Sequence, residues 1–134
     1  MFEIKEEMSF SVVCLRPVGR LDTVHASVFD KTVAEKAGKE AFLVIDFSSC
    51  HYLSSSGIRV LLRTDRELAS AGGKLILSGL SGEMLQVLQI AGLDHVFKIC
   101  TDVSDAVTCI RQCEKTAISR MEYFRGKLPV RQRS

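Results

Sequence analysis

Three short apolar runs, each followed by a segment with helical periodicity, constrain the fold of this 134-residue chain most strongly. The runs lie within Phe42–Phe47, Lys74–Ser78 and Val96–Cys100, and continuous runs of this kind are typical of strands buried on both faces of a sheet. Short connections between alternating strands and helices favour parallel pairing. The chain is therefore predicted to form a single small α/β domain with a mixed, largely parallel sheet and four helices.

Two further strands are predicted before the first helix. Weak alternation over residues 2–7 and an apolar run over Ser9–Val18 indicate a hairpin-like N-terminal strand pair. Because proline lacks the amide hydrogen that a central strand donates, the second strand is expected to stop at Pro17 or to lie at a sheet edge there. The first helix is predicted to be capped by Asp22 or Thr23.

The composition limits the class of protein. A hydrophobic content of 46% is enough for a buried core in one domain. No apolar run approaches the roughly 20 residues of a membrane span, and the acidic N-terminus is unlike a signal peptide. The five cysteines are odd in number and form no Cys-x-x-Cys pair, which fits free thiols in a reducing compartment. We therefore expect a cytoplasmic protein that needs no metal, no cofactor and no membrane.

Positive charge is concentrated at the C-terminal end. Residues 115–134 contain six Lys or Arg and one Glu, a balance of +5, so that the net charge of +2 leaves −3 on residues 1–114. No nucleic-acid motif accompanies these cations, which favours a solvated tail over an RNA or membrane contact. We predict a domain over residues 1–113 and a basic C-terminal helix extension and tail over residues 114–134.

The polar residues match no catalytic pattern. Asp46 ends a buried strand, as in response-regulator receivers, but the first strands do not end in the acidic pair that holds magnesium in those proteins. The glycine pairs lack the lysine and the spacing of phosphate-binding loops. Ser55 lacks the first glycine of a nucleophile elbow, and the histidines have no recognisable triad partner. The sequence therefore predicts a protein that is not an enzyme.

Three consecutive serines, Ser54, Ser55 and Ser56, come directly before an apolar helical run that begins at Ile58. Hydroxyl oxygens at a helix start accept hydrogen bonds from the free N–H groups of the first turn, which predicts a helix cap, with Ser56 as the capping residue. A phosphate at the same place would meet those donors and the positive end of the helix dipole. The cluster therefore fits both a simple cap and a phosphorylation switch.

Four segments, in their order along the chain, resemble landmarks of the STAS domain, specifically of bacterial anti-sigma factor antagonists. These segments are Val18–Asp22, Leu43–Phe47, Tyr52–Ile58 and Ala71–Leu75. The resemblance covers about residues 8–112 and depends on the ordered set rather than on any one motif. It implies an α/β domain that binds an ATP-dependent anti-sigma factor serine kinase, is phosphorylated by that kinase, and is reset by a metal-dependent serine phosphatase.

The same resemblance implies roles for single residues. In the family's Asp-Ser-Ser/Thr-Gly motif, the phosphoacceptor position corresponds to Ser55, with Ser54 and Ser56 as alternatives. Ser54 stands where the family usually has the aspartate. The implied partner-binding residues are Asp22, Ser54, Ser55, Ser56, Gly57 and Arg59. Two alternatives stay open: a STAS scaffold or ligand-sensing module whose serines only cap the helix, and a partner-switching regulator of a secretion or signalling system.

Overall fold

The computed structural model describes residues 2–113, which form one mixed sheet and four helices. The strands are β1 (Glu3–Ser9), β2 (Val12–Leu21), β3 (Phe42–Asp46), β4 (Cys50–Leu53), β5 (Lys74–Ser78) and β6 (Lys98–Cys100). The helices are α1 (Thr23–Ala37), α2 (Ser55–Ser70), α3 (Gly82–Ile90) and α4, which is described over residues 103–113. The predicted α/β domain with four helices is confirmed. The predicted basic extension over residues 114–134 lies outside the described residues.

The sheet has the strand order β1-β2-β3-β5-β6, and β4 pairs with β2. Only the β1–β2 pair is antiparallel among the described strands, so the predicted N-terminal strand pair and the largely parallel sheet are both confirmed. The strand β4 is not among the strands predicted from the sequence. Cys50 and Leu53 are buried while His51 and Tyr52 are exposed, and these four residues are too few to show a strand periodicity.

Pro17 lies inside β2, so the strand does not stop there, but β2 has no partner on one side at this point, which agrees with the predicted local edge. The β2 strand pairs with β3 over residues 13–15 and with β4 over residues 19–21. The amide of Gly19 donates to the Ser49 carbonyl oxygen at 3.0 Å, and amide directions alternate along a strand, so the Pro17 nitrogen faces the same side. None of the described strands pairs with that side of β2 at Pro17. The missing amide hydrogen of the proline therefore removes no hydrogen bond between strands.

Two predicted strand boundaries differ slightly from the structure. The β3 strand ends at Asp46, one residue before the predicted end, and β6 begins at Lys98 instead of Val96. Phe97 belongs to a turn in which its amide donates to the Leu93 carbonyl oxygen at 3.2 Å. Its ring is nevertheless buried in the core, which explains its place in an apolar run.

The core lies on both faces of the sheet. Leu43 and Ile45 of β3 join the larger apolar cluster beneath α1, α2 and α3, whereas Val44 joins a smaller cluster with α4. All three side chains are 0% exposed, as the continuous apolar run predicts. Full burial of one such side chain stabilises a fold by about 1.5–3 kcal/mol. The central strands are thereby fixed, together with the helix starts at their carboxyl ends.

Candidate functional site

The starts of α1 and α2 lie side by side because their preceding strands end side by side. The strands β2 and β4 are parallel, with Leu21 opposite Leu53. Each helix begins two residues later, after the N-cap residues Asp22 and Ser54. The amide of Ser54 donates to the Leu21 carbonyl oxygen at 2.9 Å, which ties the second helix start to the first.

Ser54 is the N-cap of α2, so the prediction that Ser56 caps the helix is wrong. The Ser54 backbone is extended, with φ −81° and ψ 166°, and its Oγ accepts a hydrogen bond from the Gly57 amide at 3.2 Å. Its side chain is buried, at 5% exposure. Ser56 already lies within the helix. The cap falls on Ser54 because the preceding residue is still held in β4.

Ser54→Ala is expected to lower the free energy of unfolding by about 1 kcal/mol, because it removes the acceptor for the Gly57 amide. Urea denaturation at neutral pH measures this change. The control is Ser56→Ala, because the Ser56 hydroxyl makes no side-chain hydrogen bond within residues 2–113, and we expect this variant to stay within about 0.5 kcal/mol of the unchanged chain. A larger loss for Ser56→Ala than for Ser54→Ala would contradict this assignment of the cap.

Gly57 lets α2 begin in close contact with the sheet. A Cβ atom at this position would lie 2.9 Å from Cδ1 of Leu53 and 3.0 Å from Cγ of Leu21. These distances are shorter than normal contacts between carbon atoms. The absence of a side chain at Gly57 therefore allows the serine turn to pack directly against Leu21 of β2 and Leu53 of β4.

The three serine hydroxyls differ in their access to solvent. Ser54 is buried, Ser56 is half-buried, and Ser55, the first residue of α2, is exposed. Ser55 is therefore the serine of this turn whose hydroxyl an approaching protein reaches most readily.

The other predicted partner-binding residues lie around this turn. Arg59 is exposed on α2, one helical turn after Ser55, and Asp22 caps the neighbouring helix. A hydrogen bond from the His25 amide to Asp22 Oδ1, at 3.0 Å, is the main cause of a lowered pKa for the Asp22 carboxyl. Asp22 therefore places a carboxylate next to the serine turn at neutral pH.

A groove of about 200 Å³ runs between α1 and α2 beside the serine turn. Its lining residues are Ala26, Ser27, Asp30, Ser56, Arg59, Val60 and Arg63. Arg63 forms ion pairs with Asp30 across the groove and with Glu67 on its own helix, the latter at 3.5 Å. The groove is therefore polar, and it leads from the serine turn along the contact between the two helices.

Sequence reasoning missed a cation next to the serine turn. The Arg20 guanidinium lies over the Tyr52 ring, 4.3 Å from its centroid, because the two residues are partners in the β2–β4 pair. Both side chains are exposed. The sequence carries only a weak indication of this contact. Arg20 and Tyr52 lie in two different segments that resemble the STAS domain, and only the pairing of β2 with β4, which was not predicted, brings them together.

Within residues 2–113, no group of three or more His, Cys, Asp or Glu side chains is arranged to hold a metal ion. The helices of this same region include none that is long and apolar enough to cross a membrane.

A comparison of the sequence with models of protein families identifies the family of this chain. The model of the STAS domain matches residues 3–106, which is most of the chain. The chain belongs to the STAS domain family. The resemblance predicted from the four ordered segments is thereby confirmed, and in this STAS domain Ser54 provides the cap of α2 without a charge.

Several proteins similar to this STAS domain, in sequence or in solved structure, are named as anti-sigma factor antagonists. It is 27% identical over 110 residues to BtrV of Bordetella bronchiseptica, a provisionally assigned anti-sigma factor antagonist, covering 81% of this chain and 90% of BtrV. A provisionally assigned antagonist from Thermotoga maritima has a similar structure, with a TM-score of 0.76 and 24% identity over 81% of this chain and 94% of that one. The structure of the Bacillus protein SpoIIAA in its phosphorylated form is also similar, with a TM-score of 0.62 and 23% identity. The match covers 82% of this chain and 99% of SpoIIAA.

Proposed function

We propose that this STAS domain is an anti-sigma factor antagonist that binds an anti-sigma factor serine kinase and is inactivated when the kinase phosphorylates Ser55. The observation that carries the proposal is the exposure of Ser55 at the start of α2, between the buried cap Ser54 and the half-buried Ser56. The names of the related proteins support the antagonist role. A solved phosphorylated form of SpoIIAA supports a covalent switch in a fold of this kind.

In the proposed reaction the chain is a substrate and not a catalyst. Ser55 Oγ attacks the γ-phosphorus of ATP held by the kinase, the bond to the leaving ADP breaks, and the hydroxyl proton passes to a base of the kinase. A metal-dependent serine phosphatase reverses the change by directing a water molecule onto the phosphorus, which releases phosphate and restores the hydroxyl. Both the nucleotide and the metal belong to the partner enzymes.

The proposed docking surface is the serine turn with its immediate neighbours. It comprises Asp22 at the start of α1 together with Ser55, Ser56 and Arg59 on α2, while the buried residues Ser54 and Gly57 shape the turn from beneath. The turn is held in place because the Ser54 amide donates a hydrogen bond to the Leu21 carbonyl oxygen and Gly57 packs against buried leucines. The kinase therefore meets a preformed surface, and no fold rearrangement is needed for phosphorylation to act.

Incubation with ATP and an anti-sigma factor kinase encoded beside this chain tests the proposal. We expect the mass gain of one phosphate group on the peptide that contains Ser55. The gain should be absent in Ser55→Ala and retained in Ser54→Ala and Ser56→Ala. Phosphate on Ser54 or Ser56 in the unchanged chain, or no phosphate at all, would contradict the assignment.

A second candidate function, a ligand-sensing STAS module, is favoured by one cavity. A mainly apolar cavity of about 220 Å³ lies between β4 and α3. It is lined by His51, Tyr52, Leu53, Glu83, Met84 and Val87. Ligand sites usually have about 300–1,000 Å³, so this cavity would take only a small molecule, and the switch is the better-supported function. A sensor whose serines only cap α2 would gain no phosphate in the kinase assay.

A further inference from the structure

Ser55 and Arg59 form an i, i+4 pair on the exposed face of α2. Residues at this spacing are neighbours on a helix surface, with Cβ atoms about 5–6 Å apart. Side chains on a helix lean towards its N-terminus, so the Arg59 side chain can extend back towards Ser55. A group attached to the Ser55 oxygen is therefore within reach of this guanidinium.

The neighbouring arginines already have partners, whereas Arg59 is available. Arg63, one turn further along α2, is held by Asp30 and Glu67. Arg20 lies over the Tyr52 ring. Among the ion pairs formed within residues 2–113, none involves Arg59. Arg59 can therefore pair with a new anion without giving up an existing ion pair.

The residue at the cap of α2 strengthens this expectation. Ser54 is neutral, and its hydroxyl oxygen accepts a hydrogen bond from the Gly57 amide. A carboxylate at this position would repel a phosphate on the next residue and would compete with it for nearby cations. In this chain the phosphate meets no such competitor at the cap.

We propose that Arg59 pairs with the phosphate of phosphorylated Ser55, so that the modification both adds negative charge and withdraws Arg59 from the docking surface. The inference rests on the proposed function of Ser55. An arginine presents a planar fork that matches phosphate oxygens and binds them in a bidentate manner, which lysine does not. Arg59 is a positioning residue for the phosphate, and the unphosphorylated chain offers the same guanidinium to an acidic side chain of the kinase.

The test measures the second pKa of the phosphate, which lies near 6 in free phosphoserine. Phosphoserine is inserted at position 55 during synthesis by genetic code expansion, so that no kinase is needed, and the ³¹P resonance is titrated. Because the guanidinium favours the dianion, we expect Arg59→Ala to raise this pKa by about half a unit, and Arg59→Lys by less. The other charged or titratable groups near the turn, which are Arg20, Asp22, His25, Asp30 and Arg63, stay the same in all variants.

Arg66→Ala is the matched control. Arg66 is exposed on the same helix, but lies 66 − 55 = 11 residues after Ser55, or about 16 Å along the helix axis, which exceeds the screening length of about 10 Å at 0.1 M salt. Its removal should leave the phosphate pKa unchanged. Circular dichroism and a thermal melt of each variant show that the fold is kept.

Two results would overturn the inference: a phosphate pKa in Arg59→Ala equal to that of the unchanged chain, or an equal rise in Arg66→Ala. The proposed function fails separately. If the kinase leaves Ser55 unmodified while the inserted phosphate still senses Arg59, only the function is wrong. If the kinase modifies Ser55 but Arg59→Ala has no effect on the pKa, only the inference is wrong.

Discussion

Ser55→Asp is expected to weaken binding to the anti-sigma factor kinase by up to about a thousandfold, whereas Ser55→Ala keeps it. Ser55 lies exposed within the proposed docking surface, where an added carboxylate faces the bound kinase. One unfavourable pair of charges about 4 Å apart costs about 4 kcal/mol at an effective dielectric constant of 20. Each 1.4 kcal/mol changes a dissociation constant about tenfold. Isothermal titration calorimetry of the kinase with each variant measures the two dissociation constants.

The salt dependence of this binding provides an internal control. A loss caused by charge repulsion should shrink as the ionic strength rises, because the screening length falls from about 10 Å at 0.1 M to about 3 Å at 1 M. A loss caused by a misfolded turn should not change with salt. Equal affinities of Ser55→Asp and Ser55→Ala at low salt would contradict the switch.

Gly73→Ala is expected to lower the free energy of unfolding by about 3 kcal/mol or more. A Cβ atom at Gly73 would lie 1.6 Å from the carbonyl oxygen of Ala41 and 2.5 Å from its carbonyl carbon. These are backbone atoms, so no side-chain rotation relieves the overlap. The same carbonyl accepts the Lys74 amide at 2.9 Å, and moving it away would break the hydrogen bond that begins β5 beside β3.

Gly82→Ala is the matched control for this loss of stability. Gly82 is the first residue of α3, and a Cβ there would meet no atom within 4 Å. Because alanine favours helix more than glycine, the expected change is within about 0.5 kcal/mol, or slightly stabilising. Urea denaturation of both variants gives the comparison. A Gly73→Ala protein as stable as Gly82→Ala would show that the two chain segments do not approach as closely as described.

The buried strands and the start of α1 could be predicted because each depends on neighbouring residues. The continuous run through Leu43, Val44 and Ile45 identifies a strand covered on both faces, and Asp22 caps α1 through a residue only three positions away. The continuation of β2 through Pro17 and the existence of β4 were not predicted, because both depend on pairing between distant segments. The sequence does not indicate that β2 changes its partner from β3 to β4 beyond Leu15.

The position of the candidate site at the serine cluster was predicted from the sequence, but the different roles of the three serines and the contacts around them were not. Three adjacent serines look alike in a sequence, and the assignment of the cap to Ser54 depends on its amide contact with Leu21, which lies on another strand. The Arg20–Tyr52 contact depends on the same unforeseen strand pairing. By contrast, Ser55 and Arg59 are four residues apart on one helix, so their proximity follows directly from helical spacing.

The affinity of the purified chain for its kinase, measured before phosphorylation, after phosphorylation of Ser55 and again after phosphatase treatment, tests the central claim most directly. The switch predicts tight binding at first, a loss of at least about a hundredfold once the phosphate is present, and full recovery when it is removed. The same dissociation constant in all three states, with the phosphate on Ser55 verified by mass spectrometry, would contradict it.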